Sequence, residues 1–163
     1  MLIQEKAGNI SSFEIKDRIV DILKIEWFET GKRILRKKTE NGKEISLKFL
    51  DERPELTEGD ILSADSSSSL IIVSIIPCKC IIIFPVSFIQ TAAICYEVGN
   101  RHLPLFYENE KLLTPFDVPI FNWLQAQGFE IKEAEEKLLH PFKTSITPHN
   151  INTSNTVISK VKA

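Results

Sequence analysis

Three histidines, His102, His140 and His149, and three cysteines, Cys78, Cys80 and Cys95, are the side chains best suited to hold a metal or act as nucleophiles. His102 stands in the stretch CYEVGNRHLPLF, three residues past Gly99 and just ahead of a new apolar run. Its position predicts a turn residue, at least partly exposed. A neutral imidazole there can ligate a metal, or donate from one ring nitrogen and accept at the other. The competing reading is a turn residue with a backbone hydrogen bond. Cys78 and Cys80 are two apart in a β-branched run, so on a strand they share a face. Thiolates suit zinc and copper(I), but no second cysteine pair closes a tetrahedral site. Two small buried core residues is the plainer reading. Cys95 is expected in the core of a helix face.

Other chemistry finds little support. There is no phosphate-binding glycine loop and no G-x-S-x-G elbow. His140 follows the acidic run EAEEKLLH, which reads as a solvated face. No nucleophile, base and orienting group stand out as a set. One chain therefore offers few ligands, and a metal site needs help from the tail or from a second chain. A two-fold axis near His102 would bring two copies of that imidazole face to face. His149, on the tail, could complete such a site. It would be open and exposed, which suits a carrier that must release its ion.

The elements that position these residues can be read from the pattern. The 163 residues, 43% apolar, suffice for one domain or two small ones. A net charge of -2 gives no basic excess for nucleic acid. The start, MLIQEKAGNI, has no basic n-region or apolar h-region, so a cytoplasmic protein with free thiols is expected. The apolar runs are broken by Ser74, Pro77 and Lys79, and read as buried strands, not as a membrane span.

The first half reads as strands in LIQEKA, RIVDILKIEW, KRILRKKT and EISLKF. Asn41-Gly42 predicts a type I′ hairpin turn between the last two. A glycine turn at Gly59 precedes a strand from Asp60, and DSSSS reads as a turn before LIIVSI. The second half reads as a strand in CKCIIIF and a helix capped by Ser87, with Phe88, Ala92, Cys95 and Gly99 at helical spacing. Gly99 takes the left-handed position that ends it. Strands in LPLFYE and KLLTPF follow, then a helix capped by Asp117 and stopped by Gly128, then FEIKEAEEKLL as a last strand or mixed segment. This order is the ferredoxin-like split βαβ pattern. The expected fold is α+β: an all-β domain over 1–76, a ferredoxin-like βαββαβ domain over 77–142, and a flexible tail over 143–163. The tail has no Asp or Glu, has little to bury, and carries His149.

The segment Gly99-Asn100-Arg101-His102, followed by Leu103-Pro104-Leu105, resembles the most recognisable stretch of the urease accessory protein E family, the UreE nickel metallochaperones. Trp27 to Phe49 is similar to that family's N-terminal hairpin region, and Leu56 to Leu62 to its following turn. The likeness runs across nearly the whole chain; GNRH alone would be weak. It implies a protein without enzymatic activity that delivers Ni(II) to apo-urease in the cytoplasm. The implied partners are the accessory GTPase UreG and the urease apoprotein complex. The implied metal site lies at a homodimer interface of the C-terminal domain, with His102 as ligand and His149 added from the tail. A dimer of dimers with metal is compatible with the family. The β domain is implied to bind partners.

Three departures stand out. Glu97 replaces a histidine found in many members, the tail keeps only His149, and the Cys78-x-Cys80 pair is not in the pattern. Together they imply about one ion per dimer and speak against storage. His140 is a weaker second candidate. Zn(II) or Cu(II) is expected to compete at imidazole ligands. Ligation needs neutral imidazole, so binding is expected to weaken as histidine takes up protons. The alternative function is a metal-independent peptide-binding or scaffold module of a maturation complex. A metal hydrolase is disfavoured, since catalytic zinc needs three protein ligands and a base.

Overall fold

The computed structural model describes residues 1–15, 18–50, 55–64 and 69–142. Most of DSSSS and all of the 143–163 tail, His149 included, lie outside these residues. Among the described residues the N-terminal part holds seven strands: β1 (Leu2–Ile3), β2 (Gly8–Asn9), β3 (Ile19–Ile25), β4 (Ile34–Lys38), β5 (Glu44–Lys48), β6 (Asp60–Ala64) and β7 (Ser69–Ile75). They form two sheets, β1-β5-β4 and β2-β6-β7-β3. Period-two alternation aims one face of each sheet at the other. Ile3, Leu35, Ile45, Leu47 and Phe49 from the first meet Leu23, Ile25, Leu62, Ile71, Val73 and Ile75 from the second.

The β4–β5 hairpin is present, but its turn differs from the type I′ expectation. Lys38 pairs with Glu44, and Thr39 N–H donates to Lys43 O at 2.9 Å, leaving three loop residues. Gly42 has a φ of 81°, while Asn41 stays at negative φ. Gly42 N–H bonds Thr39 O at 2.9 Å, and Lys43 N–H bonds Thr39 Oγ1 at 3.0 Å. This is a turn followed by one left-handed glycine, the common three-residue solution. The buried Thr39 hydroxyl takes up the extra donor.

The C-terminal part runs β8 (Cys78–Phe84), α1 (Phe88–Asn100), β9 (Phe106–Glu108), β10 (Lys111–Pro115), α2 (Val118–Ala126) and β11 (Glu130–Glu136). The sheet order β11-β8-β10-β9, with every adjacent pair antiparallel, is the ferredoxin-like arrangement. Fold and class thus agree with the sequence pattern. On one sheet face Ile81, Ile83 and Leu112 pack under Ile94, Val98, Ile120 and Leu124 of the two helices. On the other, Cys80, Ile82, Phe106, Leu113 and Leu138 form a second cluster.

That second cluster also meets the β sandwich. Trp27 packs against both and stands edge-on to Phe106 at 5.6 Å. Past β11, Lys137 Nζ reaches Glu58 Oε1 at 2.7 Å and Ser74 Oγ at 3.1 Å. Among the described residues no helix is long and apolar enough to cross a membrane.

Candidate functional site

Helix α1 starts at Ser87, whose Oγ accepts from Gln90 N–H at 3.2 Å. It runs through Gly99 to Asn100, so Gly99 is helical and does not stop it. The left-handed residue is His102 itself, with a φ of 55°. His102 N–H donates to Gly99 O at 3.0 Å, and Leu103 N–H to Val98 O at 3.1 Å. These two bonds are the Schellman C-cap, with His102 at the C′ position that glycine usually fills. Helix α2 ends the same way on Gly128, φ 74°, as the sequence indicates. At α1 the apolar pair Val98 and Leu103, both in the helix-side core, holds the motif shut. Close by, the fully buried Thr114 donates its hydroxyl to Pro104 O at 2.9 Å. The backbone around His102 is therefore fixed on both sides, while its imidazole is exposed.

The face of α1 beside His102 is unusual. Only Ile94 and Val98 are buried. The outer face carries Phe88, 83% exposed, Ile89, 74%, and Tyr96, 72%, together with Ala92, Ala93 and Gly99. Three of the four residues singled out at helical spacing, Phe88, Ala92 and Gly99, belong to this outward stripe; Cys95 alone leans on the core. The missed signal was apolar character all round the helix, which indicates burial on two sides. Exposed apolar surface of this kind is characteristic of interaction sites.

The other candidates are placed as follows. Glu97, one turn before His102, is held by Arg101, with Nε at 2.7 Å and the terminal nitrogen at 2.6 Å from the same carboxylate oxygen. His140 is exposed, its ring 5.7 Å from Tyr107, and its carbonyl accepts from Tyr107 N–H at 3.0 Å. Cys78 and Cys80 share the sheet face away from the helices, as their spacing predicts. Burial pushes the Cys80 thiol up to about 11, with Cys78 adding to it and a backbone hydrogen bond at Glu136 opposing it. Burial, then Glu26 and Glu135, raises that of Cys78. Both favour the protonated thiol, as expected of core residues. Among the described residues, no three His, Cys, Asp or Glu side chains gather where a metal could sit.

These features define a two-domain α+β protein: a β sandwich joined to a ferredoxin-like unit that presents one rigid, exposed histidine beside an apolar helix face. Comparison with known proteins makes this specific. Residues 3–75 match the family model described as UreE urease accessory protein, N-terminal domain, and residues 81–147 its C-terminal domain. A UreE urease accessory protein of Flavobacterium johnsoniae is 41% identical over 161 residues, covering 99% of this chain and 97% of its own. That of Acetivibrio thermocellus is 35% identical, over 86% and 91%. That of Actinobacillus pleuropneumoniae is 33% identical, over 84% and 75%. The chain belongs to the UreE family of urease accessory proteins.

Proposed function

We propose that this protein is a cytoplasmic nickel chaperone of urease maturation, holding Ni(II) between two copies of His102 in a homodimer and handing it to apo-urease. The observation that carries this reading is the adjacency of His102 to the apolar outer face of α1. A two-fold contact on this face, with its axis at the C-terminal end of α1, buries apolar surface and brings the two imidazoles together. His149 from the tail adds a further ligand. Imidazole nitrogens suit Ni(II), and Zn(II) or Cu(II) compete because two or three histidines discriminate poorly. An open site releases its ion readily, as delivery requires.

The division of labour follows the domains. Residues 1–76 bind partners, 77–142 dimerise and hold the metal, and 143–163 bring the tail ligand. The accessory GTPase UreG and the urease apoprotein complex receive the ion. The protein performs no catalysis itself.

Nickel titration by calorimetry with light scattering tests this. About one nickel per two chains is expected, lost in His102→Ala while the dimer persists. Tight binding that survives His102→Ala, or no tight binding in the unmodified protein, would overturn the reading and favour a metal-independent scaffold module.

A further inference from the structure

The outer face of the β1-β5-β4 sheet has no part in the site around His102. Leu35, Ile45 and Leu47 turn inward to the sandwich core. The alternate positions therefore face solvent. The strand register sets them in rows: Leu2 beside Ser46 beside Arg36, Lys48 beside Ile34, and Glu44 beside Lys38. Leu2 is 59% exposed and Ile34 61%. Lys38 Nζ lies 3.3 Å from Glu44 Oε1. Arg36 and Lys48 are different. Both are exposed, and among the described residues neither has a side-chain hydrogen-bond or ion-pair partner. Other cations of the same domain do find carboxylates: Lys6 with Asp60, Lys24 with Glu40, and Lys32 and Lys37 with Glu29. Arg36 and Lys48 are diagonal neighbours across β4 and β5, about 7–8 Å apart at the backbone. Two like charges at that spacing repel unless an anion lies between them. The local sequence is equally lopsided: Lys32 to Lys48 holds seven Lys and Arg against two Glu, in a chain of net charge -2.

We propose that this face docks an acidic segment of a partner protein, one in which carboxylates are interspersed with aliphatic side chains. This rests on the partner-binding reading of residues 1–76 and not on nickel. The carboxylates pair with Arg36 and Lys48, and the aliphatic groups cover Leu2 and Ile34. Protection of a sheet edge accounts for charge on β4 alone. It does not account for Lys48, which lies on the central strand β5, or for two exposed aliphatic side chains on the same face. Nucleic acid or an anionic membrane is a poorer match. Either calls for a broad cationic field, and Glu44 interrupts it on this face.

The test uses full-length, metal-free, nitrogen-15-labelled protein and a short Glu-rich peptide with interspersed Leu. Weak binding is expected, with amide shifts centred on Arg36, Ser46 and Lys48. A counterpart peptide with Gln for Glu should not bind. Arg36→Gln with Lys48→Gln should weaken binding about three- to tenfold and remove most of its salt dependence between about 0.02 M and 0.5 M. Ile34→Ser should weaken it at every salt concentration, since apolar contact is not screened. Arg36→Lys with Lys48→Arg should retain it. Far-UV circular dichroism and nickel binding should stay unchanged in every variant. Shifts centred elsewhere, equal binding of the Gln peptide, or full affinity in the Arg36→Gln, Lys48→Gln protein would overturn the proposal. So would tighter binding of oligothymidylate or phosphatidylserine vesicles through the same two residues, which would assign the face to nucleic acid or to membrane. Nickel bound through His102 with no peptide binding leaves the nickel reading standing and sinks this one. Peptide binding without a nickel site does the reverse.

Discussion

A histidine in left-handed backbone is a local expense that the fold accepts at one end of α1. At α2 the same cap uses Gly128, which adopts that conformation without a Cβ penalty. His102→Gly in metal-free protein should therefore raise stability by roughly 0.5–1 kcal/mol, read as a higher urea midpoint, while losing nickel. A destabilised glycine variant would mean that the imidazole contributes to the monomer fold. The position of this residue was half legible. Glycine is the default for a left-handed cap, so Gly99 drew the helix end three residues early. What decides the end is an apolar staple, Val98 with Leu103, whose spacing matters more than the glycine between them. The ligand role proposed for His149 rests on the sequence alone, and the one proposed for His102 draws support from its exposure.

At the scale of elements, periodicity located the strands of the sandwich and the order of the ferredoxin-like unit, because alternation and helical spacing reflect which faces are buried. It did not reveal which side of α1 faces the sheet. The helix is apolar on both sides, and Ile94 with Val98 wins the interior because these two sit over Ile81, Ile83 and Leu112. The stripe left outside is available to a second copy. Ile89→Glu places a carboxylate in that stripe without touching the monomer core. It should give a species of one 18.6 kDa chain by light scattering with unchanged circular dichroism, and nickel affinity should fall with it. A dimer that survives this substitution would move the two-fold axis away from α1 and, with it, the paired His102 site. The hairpin teaches the complementary lesson. Asn41-Gly42 marked the turn correctly, yet the loop length was set by the ladder register and by the Thr39 side chain, which no dipeptide signal encodes.

Across the whole molecule, the two domains meet through a small set of groups that sequence patterns could not pair, since they lie about 80 residues apart, such as Glu58 with Lys137 and Trp27 with Phe106. Trp27 opens a short 3-10 turn, Trp27–Glu29, and its placement depends on Glu29. Burial works to raise the Glu29 pKa. The Glu26 N–H at 3.0 Å and the ammonium groups of Lys37 and Lys32 outweigh it, and hold the carboxyl below its ordinary 4.5. A folded-state pKa below the unfolded one means that Glu29 contributes its full stability above pH 4.5 and loses it as pH falls through the folded value. Protonation there removes the charge that Lys37 and Lys32 bind and loosens the turn under Trp27. With Trp123→Phe to leave a single tryptophan, the fluorescence of Trp27 should shift below pH 4.5 before the far-UV signal changes. Glu29→Gln should start from the shifted spectrum at neutral pH and lose most of the acid transition. A Glu29→Gln protein that keeps the full transition would place the acid-sensitive contact elsewhere, with Glu58 and its Lys137 partner next to be tested.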